Sequence, residues 1–474
     1  MDTHGTSSIL TPSAAALHLS PTLEINEAVA RARASGKRIV HLGFGEAMFP
    51  IQQRVLQIHR ETSSRSDYLP VAGLESLRTT IAEYQSGRLG IKIQSDQVVV
   101  APGSKPLLFA LFDIVRGDVL LPRPSWVSYE AQVAHAGKKL FWIETDEFDR
   151  HTLTAEALEA AYNTAIQQGG QPRIMLINSP SNPTGQVFSE EEVARIVRFC
   201  REREILLISD EIYSDICFRT EERNISAFKT AQKDGGEVIM TGGMSKVLCT
   251  TPGSPSKTNE VQTYSAGGWR IGFATFPSSS VGTTIQKAIL AYASECWSAA
   301  SAPAQLAAAA AFSSAFTADA ILGSEMDRYR DLVTVLHRMC TLRLFTALRD
   351  CGLEVAEPRG SFYLYPSFRP FREQLRAHHV RTSRDLARWL IDECGLAALP
   401  GAAFGEAEEE DSNSGGSLRL RMATSFLFYP AEDKYQKGYA LLETAARGED
   451  IELPLMDEAI ECIQIAVGKL QKSG

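Results

Sequence analysis

From about Gln97 to Pro277, short apolar runs alternate with amphipathic stretches. Val98–Ala101, Val119–Leu121, Leu140–Ile143, Ile174–Asn178, Ile205–Ser209, Val238–Thr241 and Ile271–Thr275 predict strands. Several are apolar at nearly every position, as strands buried on both faces must be. Lys105–Val115, Val127–Ala136, Ala155–Gln168 and Glu190–Arg203 predict the intervening helices. This alternation implies an α/β fold, a mostly parallel sheet with helices on both sides. After Ala299 the pattern changes. Two helical stretches, Ala302–Phe316 and Ser324–Asp350, precede strands near Ser361–Tyr365 and Leu418–Met422, which predicts a smaller α+β domain. The expected partition is an N-terminal extension with part of the small domain over 1–60, a large domain over 61–310 and the small domain over 311–474. A last helix is expected over Asp457–Gln471.

Composition narrows the class. The chain has 474 residues, 44% hydrophobic and 22% charged, which excludes disorder and a disulfide scaffold. A formal net charge of −9 gives no electrostatic case for nucleic acid. The longest apolar run, Ala299–Phe312, is broken by Ser, Pro and Gln and is too short for a bilayer. Met1–Ser20 holds no Lys or Arg, so neither a secretory leader nor a transit peptide is expected. Eight cysteines without a C-x-x-C pair read as reduced thiols of a cytoplasmic protein. The nine histidines show no metal-ligand spacing, and the adjacent His378 and His379 read as surface residues. Two stretches read as added loops: Gly405–Gly416, with its acidic run Glu408–Asp411, and Val247–Gln262, rich in Thr, Pro, Gly and Ser.

Candidate chemistry gathers at strand ends, where open α/β sheets bind ligands. Gly43-Phe44-Gly45 lacks the third glycine of a dinucleotide fingerprint, which argues against a nicotinamide site. Gly103-Ser104-Lys105 opens a helix after a strand, where free N–H groups suit a phosphate. Asn178 to Gly185, with Asn182 before Pro183, follows another strand. Asp210, in Ser209-Asp210-Glu211-Ile212-Tyr213, stands where a buried cation is expected. Ser245-Lys246 offers a lysine that burial can turn into a nucleophile. Arg270, in Gly267-Gly268-Trp269-Arg270-Ile271-Gly272, is a candidate phosphate clamp.

The order of these motifs, from about Leu42 to Ser425, resembles class I/II pyridoxal-phosphate-dependent aminotransferases of fold type I, the aspartate aminotransferase superfamily. The resemblance implies a seven-stranded, mostly parallel mixed sheet and pyridoxal 5′-phosphate as cofactor. It implies Lys246 as the covalent lysine and Asp210 as the partner of the pyridine nitrogen. Tyr213 and Asn182 would meet the phenolic oxygen, and Trp126 would stack on the ring. Gly103, Ser104, Lys105, Ser245 and Arg270 would complete the cofactor set. Gly45, Asn182 and Arg419 would receive the substrate carboxylate. Tyr68 would reach the phosphate of a neighbouring subunit, which implies a homodimer with shared sites. Arg421 departs from the family pattern; it is expected either to contact an acidic side chain of the substrate or, the favoured reading, to pair with a core acid, since a buried charge needs a partner.

The implied reaction exchanges an amino group between an amino acid and a 2-oxo acid. A lyase of the same fold is the rival, because the same deprotonated substrate can eliminate. A non-catalytic regulator is disfavoured: about 40 residues before Leu42 are too few and too acidic for a DNA-binding module. No metal, nucleic acid or membrane partner is expected. One spacing is anomalous. The family places its phosphate arginine eight residues after the lysine, whereas Arg270 follows Lys246 by 24, an excess of 16. Removing Val247–Gln262 restores the pattern. Val247 is encoded by GTN, Gln262 can be CAG and Thr258-Asn259 can carry a branch-point sequence, so the segment reads as a translated intron.

Overall fold

The computed structural model describes residues 9–15, 17, 21–146, 150–222, 225–246, 266–313, 320–408, 418–430 and 433–472. Val247–Gln262 lies outside them.

The seven apolar runs form one sheet. Its strands are β1 (Val98–Ala101), β2 (Asp118–Arg123), β3 (Leu140–Glu144), β4 (Pro172–Asn178), β5 (Leu206–Asp210), β6 (Val238–Gly243) and β7 (Gly272–Thr275). The spatial order is β1-β7-β6-β5-β4-β2-β3, and β7 alone runs antiparallel to both neighbours. Period-two alternation explains the unbroken apolar runs. Val98, Val100, Met175, Ile177, Leu207 and Met240 face one core, whereas Val99, Ala101, Ile174, Leu176, Ile208 and Ile239 face another. Ile174, Met175, Leu176 and Ile177 are all buried. Each such side chain contributes roughly 1.5–3 kcal/mol.

The helices are α1 (Glu75–Leu89), α2 (Ser104–Ile114), α3 (Val127–His135), α4 (Ala155–Gln167) and α5 (Glu190–Glu202), then α6 (Ser280–Cys296), α7 (Ala302–Ser313) and α8 (Ala320–Asp350). Local chemistry starts them. Ser189 and Glu192 form a reciprocal capping box at α5. Gly103, at φ 93°, turns the chain from β1 into α2.

A second apolar core collects Leu42, Phe49 and residues of α8 with the C-terminal segments. Its sheet has the order β9-β10-β8, from β8 (Tyr363–Leu364), β9 (Leu399–Pro400) and β10 (Leu420–Ala423), all antiparallel. Regular pairing in β10 begins at Leu420, two residues later than the sequence suggests. The final helix spans Pro454–Lys472. The acidic loop is only partly a solvated run. Glu408 pairs with Arg384 at 3.0 Å, and the buried Glu406 pairs with Arg419 at 3.0 Å. Residues 409–416 lie outside the described residues.

One buried ion pair ties α1 to the end of β5. Arg88 meets Glu211 at 2.6 Å, and both are almost fully buried. Glu211 also accepts hydrogen bonds from Ser209 (3.0 Å) and Ser226 (2.6 Å). Arg88→Met is expected to lower stability by about 3–5 kcal/mol by stranding the carboxylate. Adding Glu211→Leu should recover most of the loss in the thermal unfolding midpoint. A double variant as unstable as the single one would contradict this account.

Candidate active site

The carboxyl ends of β1, β4, β5 and β6 open into one cavity of about 570 Å3. It gathers Gly45, Ser104, Lys105, Trp126, Asn182, Asp210, Tyr213, Ser245, Lys246 and Arg270 from segments far apart in the chain. Gly103 stands just behind its wall. A Cβ on Gly103 would come within 2.2 Å of the Arg270 guanidinium, so only glycine lets the two approach. Gly272 makes a similar demand, because its Cβ would meet the backbone of Gly103 and Ser104 at 2.2 Å. The phosphate-like cradle therefore depends on two backbones packed without side chains between them. Arg270 Nη1 donates to Gly267 O at 2.9 Å.

Asp210 is buried at the end of β5. Tyr129 donates to Oδ2 at 2.6 Å and Thr241 to Oδ1 at 3.1 Å. Burial pushes its carboxyl up to about 6, against the pull of these donors. No cationic side chain pairs with it among the described residues. A buried carboxylate held by donors but lacking a cation fits a protonated pyridine nitrogen.

Lys246 Nζ donates to Gly45 O. Removal from water holds its amine down at about 8, and Arg421, Arg270 and Lys105 lower it further while Glu46 opposes them. Tyr213 and Tyr363 share a hydroxyl hydrogen bond of 2.8 Å, and burial raises both phenols. Trp126 lies edge-on to Tyr129 at 5.1 Å, with Lys105 Nζ over its ring at 4.9 Å. It therefore lines the cavity and is not a closed core aromatic.

The two arginines of this strand lie otherwise than the same-face reading suggests. Arg419 does not line the cavity; it turns to Glu406. Arg421 enters instead, buried, with Nη2 donating to Gly43 O at 2.6 Å and Nη1 to Asn182 Oδ1 at 3.4 Å. Arg421 has no acid partner among the described residues, and its Nε makes no hydrogen bond. The same-face argument failed because Arg419 precedes the regular strand and only bridges to Ser367. Tyr68 stands apart, 100% exposed.

Tyr129, Thr241, Tyr363 and Glu46 were missed. Tyr129 carried a usable signal, since three residues after Trp126 it shares a helical face with it. Tyr363 carried none, because its approach to Gly45 is purely tertiary.

An α/β sheet with a lysine, a buried acid and an arginine cradle at its strand ends defines a fold-type-I cofactor enzyme. The chain belongs to the aminotransferase class I and II family, whose model matches residues 37–425. It is 28% identical over 416 residues to an aspartate aminotransferase of Bacillus subtilis, covering 86% of this chain and 93% of that one. It is 28% identical over 422 residues to an asparagine–oxo-acid transaminase of Streptococcus mutans, covering 86% and 93%. Its fold matches an aspartate aminotransferase of Rhizobium meliloti with a TM-score of 0.75 at 22% identity, over 97% and 99% of the two chains. The chain is a pyridoxal-phosphate-dependent aminotransferase that exchanges an amino group between an amino acid and a 2-oxo acid.

Two outcomes are expected. In the cofactor-free chain, Lys246→Met should stabilise the fold at neutral pH by about 2 kcal/mol, allowing for partial exposure. The amine's folded pKa is depressed, so the unfolded chain binds the extra proton. The advantage should therefore shrink as pH rises from about 8 towards 10.5, read as the difference in unfolding midpoint. Separately, Ala266 N donates to Met244 O at 3.2 Å, so the flanks of residues 247–265 already lie together. A chain lacking 247–262 should bind the cofactor at least as tightly by absorbance titration; loss of binding would show the segment to be required.

Proposed function

We propose that Arg421, not Arg419, holds the substrate α-carboxylate. The observation that carries this is a buried guanidinium in the cavity with no counter-ion among the described residues, while Arg419 is already neutralised by Glu406. A guanidinium binds a carboxylate through paired N–H donors. Gly45 and Asn182 flank it and fix its direction.

Asp210, supported by Tyr129 and Thr241, would keep the pyridine nitrogen protonated. Gly103, Ser104, Lys105, Ser245 and Arg270 would hold the phosphate, with Trp126 against the ring and Asn182 and Tyr213 at the phenolic oxygen. Bound there, pyridoxal phosphate supplies a carbonyl that carries the amino group and an electron sink that acidifies the substrate Cα–H. Lys246 Nζ then takes that proton; a depressed amine is available as free base near neutral pH. Arg421 orients the substrate so that the Cα–H faces Lys246, and Trp126 and Tyr363 exclude water.

The proposed first donor is aspartate, supported by the relatives named as aspartate aminotransferases. The large unit over 61–310 would hold the cofactor, and the small unit over 311–474, together with 1–60, would bring Arg421 and Gly45 to it. A homodimer is proposed because Tyr68 projects fully into solvent, free to enter a neighbour's site. A cytoplasmic setting agrees with the free, mostly buried thiols.

Arg421→Gln is expected to lower kcat/KM about 100-fold, chiefly through KM, in line with the loss of about 3 kcal/mol for a buried charged hydrogen bond. Arg419→Gln should change it less than tenfold. The measurement is steady-state transamination with aspartate and 2-oxoglutarate. The reverse ranking would restore the carboxylate role to Arg419. Release of ammonia without amino-group transfer would mean elimination instead.

A further inference from the structure

A second recess, of about 330 Å3, lies away from the cofactor cavity. One wall is Arg150, His151 and Thr184, from the segments that follow β3 and β4. The facing wall is Arg349 at the end of α8, with Glu354 and Tyr365 beyond it. Among the described residues its lining carries two arginines and one carboxylate, Glu354. Glu354 is engaged by Arg369 through Oε1 at 3.1 Å, while its buried Oε2 makes no hydrogen bond among the described residues. Neither Arg150 nor Arg349 has a carboxylate partner among the described residues: Arg150 Nε donates only to Gln186 Oε1 at 3.2 Å, and Arg349 lies over the Phe345 ring at 5.8 Å. Burial keeps His151 neutral, and its Nδ1 meets Thr145 Oγ1 at 2.8 Å. His151 and Thr184 thus offer buried neutral polar groups beneath two cations.

We propose that this recess binds a small multivalent oxyanion of the phosphate type between Arg150 and Arg349. Two guanidinium groups lining one recess suit tetrahedral oxyanions, whose several oxygens can accept from both forks. The volume takes such an ion together with its hydration shell. The anion would bridge segments that pack on different cores, the helix end at Arg349 and the loop at Arg150.

The recess also communicates with the reaction cavity. His151 and Thr184 line a gap of about 30 Å3 that Asn182 and Asn178 share with the cofactor side. That is room for about one water. Gln186, which accepts from Arg150, also donates to Glu357 O at 2.9 Å across the same boundary. An anion drawing Arg150 and Arg349 together would tighten the wall that carries Asn182, the neighbour of Arg421. Occupancy therefore strengthens carboxylate binding without touching it.

The test uses holoenzyme, so that the cofactor fills its own phosphate cradle, with sodium phosphate as the probe against sodium chloride of equal ionic strength. Arg150→Gln/Arg349→Gln is the variant; both side chains are exposed and outside the reaction cavity. Phosphate at about ten times its Kd should raise the Tm of the parent by roughly 1–2 °C and leave the double variant unmoved. It should also lower the KM for the 2-oxo acid at least twofold in the parent only. An equal Tm shift in both proteins, or none in either, overturns the proposal. A Tm shift confined to the parent with an unchanged KM keeps the site and overturns its coupling to Asn182. The Tm readout does not depend on transamination, so failure of the proposed function would show separately, as loss of turnover in the parent.

Discussion

The site depends on holding two ionisable groups, Asp210 and Arg421, out of water without a protein counter-ion. Each costs several kcal/mol that the scaffold must offset. Asp210 is kept by Tyr129, Thr241 and the end of β5; Arg421 by Gly43 O, Asn182 and the ring face of Tyr363 at 4.8 Å. Such groups can persist only on elements that cannot relax around them. The sheet provides that rigidity, because both of its faces are covered by close-packed apolar side chains.

The same requirement explains the glycines and the ion pair behind the site. Gly103 and Gly272 allow β7 to run against the start of α2, which brings Arg270 to the helix N-terminus. A side chain at either position would separate the guanidinium from the backbone N–H groups it works beside. Arg88 neutralises Glu211, whose charge raises the proton affinity of its neighbour Asp210. Without that neutralisation, a second bare carboxylate would stand beside the first.

Much of this was legible in the chain because the informative residues are local to strand ends. Asp210 ends an apolar strand, Lys246 follows another, and Ser104 opens a helix; each needs only its own neighbourhood to be read. The entry of Arg421 into the cavity was not legible because it depends on where β10 begins and on Glu406 capturing Arg419, and neither follows from periodicity. A two-residue difference in the onset of regular pairing decides which guanidinium reaches the cavity. Tyr363 is harder still, since its contacts with Tyr213 and Gly45 join segments 150 and 318 residues apart. The acidic stretch that composition assigns wholly to solvent contains the carboxylate that holds Arg419.

The cations around Lys246 have a consequence for its proton affinity. Arg421, Arg270 and Lys105 each make the amine less basic, and each is also a group that an anion would neutralise. When a phosphate occupies Arg270 and Lys105 and a carboxylate occupies Arg421, their opposing fields are largely cancelled. The remaining influences are burial, which lowers the amine, and Glu46, which raises it. In the proposed site, the Lys246 amine released from the cofactor would be a stronger base with these anions bound than in the empty cavity. An amine whose proton affinity rises as anions settle on the neighbouring cations suits the removal of a Cα proton. The cations that recruit the anions therefore also time the base.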